Sequence, residues 1–181
     1  MNAGIKFYPA KMIMRSRNDG TLRYTDLWSF RSSKSHKRYI VEVEHFDSHF
    51  FGVKFYWKGV MLSQHRYSYL TNDFEPRTIV MSCIMVMLNY FEHDRCASFV
   101  FIGANDMGEA KNNIPSRRFR FYRRLMLNIF SPANFIQASD PKNSIYLLVN
   151  RAQIQSGVLT LPLIESAISQ MYQGEFNLDF S

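Results

Sequence analysis

The hydrophobic pattern of this chain changes its period near residue 71, and this change limits the folds that the chain can adopt. Upstream, apolar and polar residues alternate from Arg38 to Phe46 and from Phe50 to Lys58, as they do in half-buried strands. Downstream, helical patterns such as Ile79 to Phe91 alternate with short strand-like runs. The order is an antiparallel meander followed by α-β-α-β-β-α. We therefore expect an α+β fold, in which one mainly antiparallel sheet carries three helices.

Turn residues and helix caps place the individual elements. The predicted strands are Leu22 to Arg31, Arg38 to Phe46, Phe50 to Lys58, His65 to Leu70, Ala97 to Ile102, Asn134 to Gln137 and Ser144 to Asn150. The predicted helices are Ile79 to Phe91, Ser116 to about Phe130, and one that follows Thr160 with Pro162 in its first turn. For the first helix, residues 71–73 offer N-cap oxygens.

One pair of strands predicts a register that a structure can test. If residues 47–49 form the loop of a hairpin, Phe46 faces Phe50 and Glu42 faces Lys54. An opposite-charge pair at facing positions contributes about 0.2–1 kcal/mol to a sheet. We therefore expect an ion pair between Glu42 and Lys54 on one face of this hairpin.

The composition fits one folded domain. The chain has 181 residues, of which 46% are apolar and 20% charged, so it can bury a core and is not typical of a disordered protein. We assign residues 1–20 to a basic N-terminal arm, residues 21–173 to a single α+β domain and residues 174–181 to an acidic C-terminal tail.

The same sequence predicts a cytoplasmic protein with no membrane contact. No apolar run approaches the roughly 18–20 residues that span a bilayer. The first residues lack the apolar stretch of a secretory signal. The two cysteines, Cys83 and Cys96, make no disulfide framework, which fits a reducing compartment.

Positive charge is concentrated in two parts of the chain. There are 22 Lys and Arg residues against 15 Asp and Glu residues, which gives a formal net charge of +7. Residues 1–70 carry all of this excess, but the segment from Lys111 to Arg124 also holds six cations and no acidic residue. A basic surface of this kind indicates nucleic acid or an acidic protein surface as the partner.

Five arginines stand in the predicted second helix. On a helical wheel, four of them fall within about a third of the circumference, opposite the apolar residues. We call these four the arginine stripe: Arg117, Arg120, Arg123 and Arg124. Arg118 falls within the apolar arc instead, where it is either a buried ion-pair partner or a ligand contact.

The arginine stripe lies where the helix dipole is already positive. Cations there cost a few tenths to about 1 kcal/mol, whereas anions are favoured. We therefore expect the stripe to bind phosphate groups. Further contacts are expected from cations interleaved with aromatics that stack bases, namely Lys54, Tyr56, Lys58, Arg66, Tyr67 and Tyr69. The alternative is an internally paired face, neutralised by strand acids such as Glu42 or Glu44.

Patterns for catalysis or metal binding are sparse. His45, Asp47 and His49 lie together in the predicted hairpin, but their spacing is not that of a recognised zinc site, and we predict no metal. Cys83 is expected to be a core thiol, and no Walker loop, G-x-S-x-G or H-E-x-x-H motif occurs. A metal-free ribonuclease that uses His65 with the arginine stripe is the catalytic alternative.

Three stretches of the chain resemble those of small, uncharacterised bacterial proteins of the Bacteroidota type. They are SFVFIGAND, SRRFRFYRRLML and NSIYLLVN. The resemblance covers roughly residues 25–173. It implies a meander, a helix, a central strand, an arginine-tyrosine helix, and a closing strand and helix. It implies no particular activity.

The element order after residue 38 resembles that of the acetyl-CoA-dependent N-acyltransferase (GNAT) superfamily. In that family a strand, a pyrophosphate-binding loop, a helix, a strand and a helix with a tyrosine acid follow one another, and the resemblance implies that Tyr122 is this acid. The family's loop pattern is Gln/Arg-x-x-Gly-x-Gly/Ala, whereas Leu70 to Pro76 has no glycine and contains Asp73 and Glu75. Because these carboxylates repel phosphates, we predict no bound cofactor.

The sequence thus predicts a small basic binding module rather than an enzyme. Its arginine stripe, with Arg118, Lys54 and Lys58, is expected to contact nucleic acid or an acidic protein surface. A GNAT-like acyltransferase or a degenerate descendant is one alternative. The protein-pairing component of a bacterial defence or toxin–antitoxin system is the other.

Overall fold

The computed structural model describes residues 5–20, 22–69, 74–103 and 115–180, and its centre is one eight-stranded sheet. The strands are β1 (Lys11–Arg17), β2 (Leu22–Arg31), β3 (Arg38–Phe46), β4 (Phe50–Trp57), β5 (Ser98–Ile102), β6 (Phe135–Asp140), β7 (Ile145–Asn150) and β8 (Asp179–Phe180). Within the same residues, the α-helices are α1 (Pro76–His93), α2 (Arg117–Ile129), α3 (Arg151–Gln155) and α4 (Leu161–Met171). The predicted α+β class is confirmed, with its mainly antiparallel sheet and N-terminal meander.

The strands lie in the order β1-β2-β3-β4-β5-β7-β6-β8 across the sheet. Strands β4 and β5 pair in parallel, and α1 connects them, since parallel neighbours need a crossover connection. Their pairing begins with Phe50 opposite Ser98 and ends with Val53 opposite Phe101, although β4 continues to Trp57. Among the described residues, the last part of β4 therefore has no partner on the β5 side.

Two apolar cores cover the opposite faces of the sheet. Because neighbouring residues of a strand point to opposite faces, Phe99 and Phe101 of β5 face α1 and α2, whereas Val100 faces α4. Helix α1 packs Ile84 and Met87 against the first face with no exposed surface. Each such fully buried side chain contributes about 1.5–3 kcal/mol, so these cores fix the positions of the helices.

The β3–β4 hairpin has the predicted register, with Phe46 opposite Phe50 and Glu42 opposite Lys54. The expected Glu42–Lys54 ion pair is wrong. The ammonium group of Lys54 reaches diagonally to Glu44 Oε1, at 2.9 Å, because the carboxylate of Glu42 accepts a hydrogen bond from the Tyr67 hydroxyl.

Several element boundaries differ from the prediction. The strand expected at His65 to Leu70 is wrong, because a 3₁₀ turn at Arg66–Ser68 takes its place; Leu70 lies outside the described residues. The N-cap residues expected at 71–73 also lie outside them, and Glu75 precedes α1 without a side-chain capping bond. Helix α3 and strand β8 are additional to the predicted elements.

Both chain ends contribute to the sheet. The basic arm supplies β1, which pairs with β2, and the acidic tail supplies β8, which pairs with β6. None of the helices in the described ranges is long and apolar enough to cross a membrane.

Candidate functional site

Helix α2 is fixed firmly to the end of β5. The hydroxyl of Ser116 accepts a hydrogen bond from the Phe119 amide at 3.1 Å and donates to the Gly103 carbonyl at 3.3 Å. A Cβ atom at position 103 would lie 3.2 Å from the Phe119 nitrogen, so glycine allows this close approach. The buried residues of α2 are Phe119, Tyr122, Leu125 and Met126, and its opposite side faces solvent.

All four members of the arginine stripe are exposed on that solvent side. In the described part of the chain, no carboxylate lies within ion-pair distance of Arg120, Arg123 or Arg124. Residues 115–139 contain five arginines and no acidic residue. Among the described residues, Arg120, Arg123 and Arg124 therefore form a row of exposed arginines with no carboxylate paired to them.

The strand acids do not neutralise this side of α2. Glu42 accepts a hydrogen bond from the Tyr67 hydroxyl and lies 3.7 Å from Arg66, while Glu44 pairs with Lys54. The expectation that Glu42 or Glu44 neutralises the stripe is therefore wrong, because both carboxylates already have cationic partners of their own.

The aromatics beside these acids pack inside the protein. Tyr56 is buried, and the Arg66 guanidinium lies over the rings of Tyr56 and Tyr67, at 5.3 and 4.8 Å from their centroids. Burial, reinforced by the Glu42 carboxylate, raises the pKa of Tyr56 to about 12 and raises that of Tyr67 as well. Tyr56 therefore offers no exposed face for base stacking, whereas Tyr67 is half-buried. Lys58 is exposed in the 3₁₀ turn that follows β4.

At the end of the β4–β5 pairing, the structure forms a cleft of about 120 Å³. Tyr122 lies in its wall, with its ring 5.9 Å from that of Phe55 and 6.5 Å from that of Phe101. These rings and neighbouring aliphatic side chains make the wall mainly apolar. The cleft therefore brings Tyr122 of α2 together with the residues at the end of the β4–β5 pairing.

Two cations reach the same cleft. Arg118 donates hydrogen bonds to the backbone carbonyls of Tyr67 and Tyr69, which explains why this residue points away from the arginine stripe. Lys54 also lines the cleft, and Glu44 binds its ammonium group. The cleft is therefore a small, mainly apolar slot whose two cations are already bound by groups of the protein itself.

The loop compared with the GNAT pyrophosphate loop is described only from Phe74 onwards. The Glu75 carboxylate is 8% exposed and accepts hydrogen bonds from the hydroxyls of Tyr8, at 2.6 Å, Ser32 and Ser35. The Glu75 carboxylate is thus bound by hydroxyl groups of the N-terminal segment and of the loop after β2.

The three residues considered as metal ligands bind three different partners. His45 lies 2.8 Å from Asp26, His49 lies 2.7 Å from Asp94, and Asp47 pairs with Arg23. The structure does not bring them together, and no group of three candidate ligands occurs among the described residues. Cys83 is buried, and burial raises the pKa of its thiol, so the expected core thiol is confirmed.

A buried carboxylate network near β1 was missed by sequence reasoning. Asp26 is fully buried and accepts hydrogen bonds from the Arg15 guanidinium at 2.6 and 2.7 Å, from His45 Nε2 at 2.8 Å and from the Tyr90 hydroxyl at 2.5 Å. The Trp28 indole donates to the Tyr90 hydroxyl. The turn at residues 18–20 was the available signal, since a hairpin around it places Arg15 opposite Asp26.

The network determines the charge of its members. Burial acts to raise the pKa of Asp26, but hydrogen bonds from Arg15 and Tyr90 and the nearby His45 hold it below its usual value. Burial lowers the pKa of His45, against the opposing attraction of Asp26. His45 is therefore neutral at neutral pH, and its Nε2 carries the proton, since a carboxylate only accepts.

The described site residues thus form an exposed arginine stripe and a separate cleft lined by Tyr122, Arg118 and Lys54. In comparisons with known proteins, no family model, no curated protein and no solved structure matches this chain.

Proposed function

We propose that the protein is a nucleic-acid-binding module that contacts backbone phosphates through the arginine stripe of α2. The main support is that Arg120, Arg123 and Arg124 are exposed and have no carboxylate partner in the described chain. A row of exposed arginines without acidic partners attracts a polyanion.

The spacing of the stripe suits a nucleic-acid strand. From Arg117 to Arg124 the helix rises about 10 Å, which corresponds to about three nucleotides of one strand. Arginine presents a planar fork that binds phosphate oxygens in pairs. Because Ser116 and the buried face hold α2 in place, the helix backbone needs no reordering when a ligand binds, and only the arginine side chains lose rotamer freedom.

Replacement of two stripe residues tests this proposal. The double variant Arg120→Gln/Arg124→Gln should weaken binding to a short DNA or RNA duplex, and the slope of log affinity against log salt should fall by about 2, because each phosphate contact contributes about 0.9 to it. Fluorescence anisotropy across a salt titration measures both quantities.

A charge-matched control separates local contacts from net charge. Arg38→Gln/Lys142→Gln removes two exposed cations that lie outside α2, at the start of β3 and in the β6–β7 turn. If both double variants lose the same affinity and slope, only the net charge matters and the stripe is not the site. If native protein binds no duplex or single strand even at low salt, an acidic protein surface is the better partner.

The cleft supports a second proposed function, that of a GNAT-like protein that holds an acyl-CoA-type ligand. In its favour, the predicted order of strand, helix, strand and tyrosine-bearing helix is present, as β4, α1, β5 and α2. Tyr122 also lines the cleft at the end of the β4–β5 pairing, together with Lys54 and Arg118.

Thermal denaturation with acetyl-CoA tests the second proposal. A ligand at 100 times its Kd stabilises the folded state by about 2.7 kcal/mol, which raises the Tm by several degrees in a chain of this size. The variant Lys54→Gln should reduce that shift, whereas Lys142→Gln should leave it unchanged. An identical Tm with and without acetyl-CoA at high concentration would remove this proposal.

A further inference from the structure

A wide groove lies beside the N-terminal segment, and neither the arginine stripe nor the cleft contributes to its lining. It encloses about 630 Å³ between residues 5–8, the loop at Ser33 and Lys34, and the start of α1 at residues 74–78. The Tyr8 amide donates to the Ser82 hydroxyl at 2.8 Å, and the Tyr8 hydroxyl donates to Glu75. These bonds hold the N-terminal segment against α1, so the groove is a fixed feature of the fold.

Two phenylalanines in this groove are presented to solvent. The side chain of Phe74 is 90% exposed and that of Phe7 is 40% exposed. Phe74 also has a φ of 52°, in a region that a bulky residue adopts only against a steric cost. An exposed ring contributes nothing to the core, so core packing does not account for the strained backbone of Phe74. Backbone strain of this kind is concentrated at binding sites.

The charge of the groove complements an anion. Its charged residues are Lys6, Lys34, Arg77 and Glu75. In the part of the chain that the structure describes, no carboxylate pairs with Lys6, Lys34 or Arg77. Glu75 is buried and bound by three hydroxyl groups, so among the described residues of the groove the exposed charge is that of the three cations.

We infer that this groove binds single-stranded nucleic acid, with bases stacked on Phe74 and Phe7 and phosphates held by Lys6, Lys34 and Arg77. The inference rests on the proposed nucleic-acid binding and names single strands as the ligand of a second surface. Exposed rings set among cations are the recognised chemistry of single-strand binding, because every base offers a face for stacking. Paired bases are already stacked on one another and do not offer that face.

Phe74→Ala is the direct test. We expect it to weaken binding of an oligo(dT) of about 20 nucleotides by about 5- to 100-fold, the loss that follows removal of one stacking ring. An abasic phosphodiester strand of the same length should bind both proteins equally, since it has phosphates but no bases. Leu62→Ala is the matched control, because Leu62 is 95% exposed and lies outside the groove.

The variant Phe74→Asn distinguishes binding from folding. Asparagine tolerates a positive φ better than phenylalanine does, so this variant should be at least as stable to urea as the native protein and should still lose oligo(dT) affinity. Native-like oligo(dT) binding by Phe74→Ala would overturn the inference. If Phe74→Ala weakened binding of the abasic strand as much as that of oligo(dT), base stacking would be ruled out. It would also be ruled out if polyglutamate displaced oligo(dT) from the native protein as effectively as unlabelled oligo(dT) does.

The stripe proposal and the groove inference can be disproved independently of each other. If Arg120→Gln/Arg124→Gln loses duplex binding while Phe74→Ala keeps its oligo(dT) affinity, the stripe proposal stands and the groove inference falls. If Phe74→Ala loses oligo(dT) affinity while the stripe variant binds duplex normally, the groove inference stands and the stripe proposal falls. Absence of all oligonucleotide binding by the native protein would overturn both.

Discussion

Replacing Asp26 with alanine is expected to lower the free energy of unfolding by about 3–5 kcal/mol. The Asp26 carboxylate is fully buried and accepts four hydrogen bonds from Arg15, His45 and Tyr90. Its removal leaves the His45 N–H and the Tyr90 hydroxyl without their acceptor, and it releases the guanidinium that ties β1 to the rest of the sheet. Urea denaturation, followed by far-ultraviolet circular dichroism, measures the loss.

A second carboxylate–arginine pair supplies the control for Asp26. Asp47 binds Arg23 at 2.8 Å, but their side chains are 38% and 60% exposed. Asp47→Ala should therefore cost less than about 1 kcal/mol. If Asp26→Ala and Asp47→Ala lowered the free energy of unfolding equally, the buried position of Asp26 would contribute no extra stability. If Asp26→Ala does not fold, Tyr90→Phe removes one hydrogen bond to the carboxylate and should cost about 1.5–3 kcal/mol.

Replacing Phe99 with alanine is the second substitution with a large expected effect, again about 3–5 kcal/mol of unfolding free energy. Phe99 is fully buried in β5, between the rings of Phe51, at 5.7 Å, and Phe130, at 6.4 Å. Alanine loses the transfer free energy of the ring and leaves a cavity that paired strands on both sides of β5 cannot easily close.

Phe74 gives a control with the same chemical change. Its ring is 90% exposed, so Phe74→Ala should change the unfolding free energy by no more than about 0.5 kcal/mol. The same denaturation experiment compares the two variants. If Phe99→Ala is no more costly than Phe74→Ala, then Phe99 does not occupy the core position described.

The parts of the fold that follow from local sequence were predictable. The β3–β4 register came from alternating residues on both sides of a short loop, and the buried face of α2 came from helical periodicity. The strand prediction for His65 to Leu70 was wrong because a tertiary contact outweighed the local strand preference. The Tyr67 hydroxyl donates to the Glu42 carboxylate, and the chain forms a 3₁₀ turn there.

The candidate sites were predictable only where one element supplies them. The arginine stripe lies on a single helix, so periodicity alone identified its members. The cleft combines Lys54 of β4 with Arg118 and Tyr122 of α2, and the groove combines the N-terminal segment with α1. Such combinations depend on strand order and on where a pairing ends, which no local pattern encodes.

The parallel pairing of β4 with β5 also determines the order in which the chain can fold. Strands β1 to β4 are joined by short connections, so they can pair as soon as they meet, whereas β5 must wait for the long connection of residues 58–97. During synthesis on the ribosome, the open edge of β4 therefore stays uncovered until β5 has emerged. The cleft, which lies at this junction, is completed only after both halves of the sheet have joined.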